Sequence, residues 1–413
     1  MSVIRPFKAF RPATNELARS IAALPYDVLS SEEAAIKAKD NPYSFLHVDK
    51  AEIDLPEGTD LYSPEVYAKA ASNLAAMEEN GWIKADEKPC LYIYAQTWQG
   101  RTQTGIVGCA SIDDYLNNVI KKHELTRADK EADRIAHVDA CNANTGPIFL
   151  TYKGSDIVNK TVRKYTVTEP VYDFTHDGIK QKVWVISEQS DIDQIVTAFQ
   201  NIDSIYIADG HHRAASAVKV GLKRREENPG YTGEEEFNYF LAVYFKADDL
   251  EILDYNRVIV DTNGLSDYEF REKVNEKFWF RYYGRVQFKP KKRHTFGMFL
   301  YDSWYSLTPR NKVFDENDPI DSLDVSILQN NIISPILEID DPRTDKRIDF
   351  IGGIRGIDEI EKRCRHSKGV AFAMFPTSIE EVMNVADKGL VMPPKSTWFE
   401  PKLLSGLFIH KLS

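Results

Sequence analysis

Asp209-Gly210-His211-His212-Arg213 puts a carboxylate, a glycine, two imidazoles and a guanidinium in five consecutive positions. Before it, Ser204-Ile205-Tyr206-Ile207-Ala208 is apolar and β-prone. After it, Ala214 to Glu227 reads as a helix ending near Pro229-Gly230. The chemistry therefore sits where a strand turns into a helix, beside unpaired N–H groups and the positive end of a helix dipole, which favour an anion. Gly210 lets the backbone approach a ligand closely. Arg213 can grip phosphate oxygens through two parallel hydrogen bonds, and His211 or His212 can donate to a phosphate or move a proton. Asp209 can orient a histidine or Mg²⁺. Two other readings stay open: Asp209 caps the helix while the histidines satisfy local hydrogen bonds, or the cluster ligates a metal ion.

A second polar segment, Lys122-His123-Glu124-Leu125-Thr126-Arg127, opens a predicted helix over 126–140. Arg127, Lys130, Glu131, Arg134 and His137 follow at spacings of three and four, on one stripe. The stripe is either a solvated face laced with ion pairs or the wall of a cleft. It leads into Asn142, Asn144, Thr145 and Gly146-Pro147, then into the apolar run 148–152, a position suited to lining a cleft. Arg127 and Arg134 could hold a carboxylate bidentately, with Asn144 beside them.

Near the C-terminus, Pro393-Pro394-Lys395-Ser396-Thr397 is a rigid approach to a small cationic, hydroxyl-bearing loop. Lys395, Ser396 and Thr397 are candidate phosphate ligands, although Walker-type glycine spacing is absent. The alternative is a surface loop with a proline stop. Gly352-Gly353-Ile354-Arg355-Gly356 reads as a tight turn, and Pro25-Tyr26-Asp27 and Asn41-Pro42-Tyr43 as turns that can also touch a ligand. Nucleophile-elbow and zinc-protease motifs do not occur.

These groups need a scaffold. Ser63-Pro64 starts the first clear helix, which stops near Gly81. Strands are expected at 91–97, 103–110, 148–152, 204–208, 239–245, 251–260, 295–301 and 304–307, and a hairpin around Asp177-Gly178. Helices are expected at 192–199, 268–278, 325–333 (stopped by Pro335) and 379–388. Irregular alternation predicts a mixed-sheet α/β (α+β) protein. At 413 residues the chain exceeds the length at which a single core keeps growing, and we place a catalytic, phosphate-binding region at 1–235 and a mixed α/β sub-domain at 236–413, whose C-terminal loop can return to the site.

The charge of −11 argues against bulk DNA binding, since phosphate neutralisation needs concentrated Lys and Arg. Lys223-Arg224-Arg225 and Lys291-Lys292-Arg293 read as solvated helix ends or hairpin tips. Cys90, Cys109, Cys141 and Cys364 form no C-x-x-C pair, and no apolar run spans a membrane. A cytoplasmic location with reduced thiols is expected, and a homodimer is compatible with the chain.

Ile205 to Arg213 resembles the nucleotide-phosphate turn of ParB/sulfiredoxin-like folds, and its Asp-Gly-His-His-Arg form is similar to that of free-serine kinases in that superfamily. Over nearly its whole length the chain also resembles a bacterial and archaeal family described as a domain of unknown function. That likeness rests on Pro25-Tyr26-Asp27-Val28, Asn41-Pro42-Tyr43-Ser44-Phe45, Lys122-His123-Glu124, Asn144-Thr145-Gly146-Pro147 and Pro393 to Thr397. The resemblance implies a ParB/sulfiredoxin-like core around Asp209–Arg213 and ATP (or ADP) with Mg²⁺. It implies phosphorylation of a small hydroxyl compound, with free L-serine favoured. Glu124 is then matched to the general base, Asp209 and His211 to catalytic roles, Gly210, His212 and Arg213 to phosphate binding. A nucleotide hydrolase and a nucleotide-binding regulatory module without catalysis remain the alternatives.

Overall fold

A computed structural model describes residues 1–367 and 369–413. The backbone divides into two compact units, residues 1–250 with 401–413, and residues 251–400. This division falls later than the 235/236 boundary expected from sequence. The reason is that strand Tyr239–Lys246 is hydrogen-bonded on both sides inside the first unit's sheet.

In that unit nine strands form the main sheet among the described residues. Their spatial order is Ile120–Lys121, Ile205–Asp209, Ile148–Tyr152, Tyr239–Lys246, Arg101–Ser111, Leu91–Trp98, Ile179–Ile186 and Tyr172–His176, with Ile4–Arg5 also laid against Arg101–Ser111. Two pairings are parallel and the rest antiparallel, so the mixed α/β class is as expected. The Asp177-Gly178 hairpin forms, with φ of 47° and 79° at its two turn residues, as a right-twisted two-residue loop requires. Ile93, Ile106, Leu150, Ile207 and Phe240 share one core with Ile195 and Phe199 of helix Gln189–Gln200 and Ala214 and Val218 of helix His211–Glu227. That burial fixes the helix which follows the Asp209 turn. A second cluster, including Phe45, Leu46, Val66, Leu74 and Met77, packs helix Pro64–Glu79. Helices Asn15–Ile21 and Ser31–Ala38 precede it. The latter opens on a Ser30/Glu33 capping box, the two side chains and backbone N–H groups satisfying each other.

The second unit carries a six-stranded antiparallel sheet in the order Phe278–Gly284, Ser303–Pro309, Phe296–Leu300, Val370–Ala373, Tyr255–Ile259 and Ile348–Gly352. The strand expected over 251–260 is broken in two. Glu251–Ile252 pairs with Phe399–Glu400, while Tyr255–Ile259 enters the large sheet. Pro335 does not stop its helix. Asp324–Leu328 continues through the π-helical Gln329–Ile333 into Ser334–Leu337, where proline takes a first-turn position that needs no N–H. The helix expected over 268–278 ends at Asn275, and Phe278 already begins a strand.

Candidate active site

Strand pairing brings the polar segments together. Ile205 and Tyr206 lie parallel to Ile120 and Lys121, so both chains leave the sheet at the same end, one into Lys122-His123-Glu124 and the other into Asp209-Gly210. Ile148–Tyr152 runs antiparallel to Ile205–Asp209, with Phe149 opposite Asp209. Its entry, Asn144 to Pro147, therefore arrives at that end too. The register shifts between Ile207 and Asp209, a bulge that re-aims the carboxylate away from the ladder.

Gly210 is the N-cap of the 17-residue helix His211–Glu227, at φ 92° and without a side-chain cap. A Cβ there would sit 3.1 Å from Nε of Arg213, so glycine is required by both backbone angle and close approach. The first intrahelical bond runs from the Ala214 N–H to the Gly210 carbonyl. Helix geometry thus leaves the N–H groups of His211, His212 and Arg213 without helical acceptors.

Arg213 is a fastener as much as an anion ligand. Nη1 donates to the Pro147 carbonyl at 2.6 Å and Nη2 to the Asp209 carboxylate at 3.1 Å. Its Nε is buried with no acceptor in the described structure. Lys402, from the C-terminal segment, places Nζ 3.5 Å from the other Asp209 oxygen. Burial pushes the Asp209 carboxyl up, but Lys402 and then Arg213 outweigh it and hold the group at about 2. Both oxygens of Asp209 thus face cations. No cluster of three or more His, Cys, Asp or Glu able to hold a metal ion occurs among the described residues. Asp209 is thus held in ion pairs with Arg213 and Lys402.

His211 is buried, with Nδ1 3.8 Å from Oε2 of Glu124 and Nε2 accepting from the His123 backbone N–H at 3.5 Å. The His123 and His211 rings meet edge to face at 4.5 Å. Burial, then the His123 ring, pushes His211 well below the usual imidazole range, and burial drives His123 down to about 4 despite Asp209. Both are neutral at pH 7. With Nε2 accepting, the His211 proton belongs on Nδ1, facing Glu124. His212 Nε2 accepts from the Arg127 N–H at 3.0 Å, tying the Glu124 segment to the helix and leaving only Nδ1 for a phosphate.

A narrow cavity of about 30 Å³ is lined by Tyr26, Asp49, Arg134, His137, Thr145 and Arg213, among others. Arg134 is buried, lies 4.1 Å from the Tyr26 ring centre and pairs with Asp133 at 2.9 Å. Thr145 donates to Asp49 at 2.9 Å, and Asn144 accepts from the Leu241 N–H at 3.2 Å while forming part of the wall. Arg134 and Asn144 thus line the same cavity as Arg213. Arg127 does not: it is exposed and pairs with Asp129 at 2.7 Å. Lys395, Ser396 and Thr397 belong to the second unit. There the Ser396 hydroxyl donates to the Pro393 carbonyl at 2.6 Å, and the Lys395 carbonyl accepts from Arg257 at 3.0 Å. Asp49 and Ser405 in the cavity wall and Lys402 beside Asp209 were not foreseen, since each reaches its place through long-range packing. The basic run 223–225 is spent on ion pairs, with Asp139 for Lys223 and Arg224 and Asp113 for Arg225. No described helix is long and apolar enough to cross a membrane.

Fold and site define a two-unit mixed α/β protein with a polar strand-end centre. The chain belongs to the family described as "Protein of unknown function (DUF1015)", whose model matches residues 4–326. No curated protein sequence matches it. Among solved structures, a free serine kinase in complex with AMP is similar at 14% identity and TM-score 0.35, covering 71% of this chain and 86% of that one. A conserved hypothetical protein from Pyrococcus furiosus is similar at 14% identity and TM-score 0.37, covering 74% and 94%. A C-terminally truncated SbnI from Staphylococcus aureus is similar at 12% identity and TM-score 0.37, covering 72% and 85%. Likenesses this distant leave the site to be argued from this chain's own residues.

Proposed function

We propose that the chain is an ATP-dependent kinase of a small hydroxyl compound, free L-serine being the favoured acceptor, built on a ParB/sulfiredoxin-like core in its first unit. The observation that carries this reading is the meeting of Glu124 with His211 beside a glycine-opened helix N-terminus. Phosphoryl transfer needs anion stabilisation and an aligned nucleophile, with little covalent work by the protein. The N–H groups of His211, His212 and Arg213, with Nε of Arg213, supply the first. Glu124 supplies the second by taking the hydroxyl proton as the acceptor oxygen bonds to the γ-phosphorus and ADP leaves. Neutral His211, its Nδ1 facing Glu124 at 3.8 Å, helps to orient that carboxylate, and the Tyr26–Arg134–Asn144 cavity is the place for the acceptor's carboxylate. Mg²⁺ arrives with the nucleotide phosphates and offsets their charge; Asp209 keeps Arg213 and Lys402 in place.

ADP release measured with and without serine tests the reading against its rivals. A kinase releases ADP only when the acceptor is present. Release independent of any acceptor makes the protein a nucleotide hydrolase, and nucleotide binding with no turnover makes it a regulatory module.

A further inference from the structure

The turn Asn41 to Phe45, singled out in the sequence but unused by the proposed chemistry, opens the short helix Leu46–Asp49. Phe45, Leu46 and Val48 are buried in the core cluster that packs helix Pro64–Glu79. That packing fixes Asp49, 5% exposed, in the wall of the cavity it shares with Arg134 and Arg213. The Asp49 carboxylate accepts one hydrogen bond, from the Thr145 hydroxyl at 2.9 Å, and forms no ion pair among the described residues. Both arginines are drawn elsewhere, Arg134 to Asp133 and Arg213 to Asp209. His137 brings no charge to the wall. One ring nitrogen donates to the Val48 carbonyl at 3.0 Å, and burial, then Arg134, lowers its pKa, so that it is neutral at pH 7.

A buried carboxylate with a single neutral donor is left short of partners, since one hydroxyl replaces only part of its lost hydration. The cavity has the room to supply one: a volume of about 30 Å³ holds roughly two groups the size of a water molecule. Arg134 and Arg213, lining the same space, favour an anionic oxygen there. Asp49 and the arginines together call for a positive and a negative group carried close together on one molecule. The ammonium and a carboxylate oxygen of an α-amino acid are such a pair, each of water size, and the side chain is left outside the cavity. A hydroxy acid offers only the negative group and an amino alcohol only the positive one.

We propose that Asp49 binds the α-ammonium of the acceptor and so restricts the site to α-amino acids. This deepens the kinase reading and rests on it only for the fate of the hydroxyl. The test is calorimetric titration of the full chain with L-serine, with L-glycerate, which carries a hydroxyl in place of the ammonium, and with ethanolamine, which lacks the carboxylate. Each titration is run with and without AMP, which has no phosphoanhydride to transfer, so that binding is read without turnover. L-serine should bind at least roughly tenfold more tightly than either analogue. Asp49→Asn keeps the size and an acceptor for Thr145; it should weaken L-serine about tenfold and leave L-glycerate within about twofold. A purely structural role for Asp49 would weaken both alike. L-serine binding that is absent, matched by L-glycerate or indifferent to Asp49→Asn overturns the assignment, whether or not phosphoserine forms. The native preference decides where the variant does not fold. Binding with the expected preference but without phosphorylated product leaves Asp49 in its role and overturns the kinase reading instead.

Discussion

At the scale of single residues, Glu124 and the two buried imidazoles carry the reading. Glu124→Gln keeps the size and removes the base. Turnover should fall by about 10²- to 10⁴-fold, with ADP affinity held within about twofold by titration; a comparable loss of ADP affinity would make Glu124 a ligand rather than a base. His123 gives a pH signature. Its folded pKa, about 4, lies below the ordinary histidine value near 6.5, so folding disfavours protonation. Its contribution is fully present above pH 6.5 and is lost as pH falls towards 4, a span worth about 3 kcal/mol at that shift. Urea unfolding between pH 7 and 4 should show this decline, and His123→Phe should flatten it; an unchanged slope would place the titration elsewhere. The Asp209–Arg213 cluster was legible because five functional residues stand consecutively at a strand end. Lys402 was not, since nothing in a lone lysine 193 positions downstream announces that it closes on Asp209. Legible residue types also hid their duties: Arg213 and His212 look like phosphate ligands, yet each spends side-chain groups fastening neighbouring segments.

At the scale of elements, the site depends on one strand-to-helix turn and on two strands leaving the sheet together. Gly210→Ala would force a Cβ into a left-handed backbone and against Arg213. The strain should cost about 1–2 kcal/mol, read as a lower unfolding free energy together with weakened nucleotide binding. Unchanged stability and binding would mean that the turn relaxes and is not the anion site. Apolar periodicity and turn chemistry made most strands readable, and Asp177-Gly178 fixed its hairpin outright. Parallel pairing of Ile120–Lys121 with Ile205–Asp209 was beyond that kind of reading: the first is two residues long, too short for any periodicity, yet it delivers Glu124. Pro335 misled for a related reason, because a π-helical stretch before it places proline where its missing N–H costs nothing.

At the scale of the molecule, two units with separate cores are threaded so that the second is an insertion between Leu250 and Pro401. Its ends are tied by the Glu251–Ile252 and Phe399–Glu400 ladder, and its sheet core is built from its own residues. Residues 251–400 expressed alone should unfold cooperatively in urea with dispersed amide resonances; a broad, non-cooperative transition would show that the unit needs the rest of the chain. Composition and length were enough to expect two units, but not their boundary, because no linker-like composition marks position 250. The central claim, phosphoryl transfer at the Asp209 turn, is tested most directly by ³¹P NMR of the full chain incubated with ATP, Mg²⁺ and L-serine. A phosphomonoester resonance of O-phosphoserine should grow with ADP in equal amounts for the native chain and be lost in Glu124→Gln. No phosphorylated product from serine or from a panel of amino and hydroxy acids would contradict it.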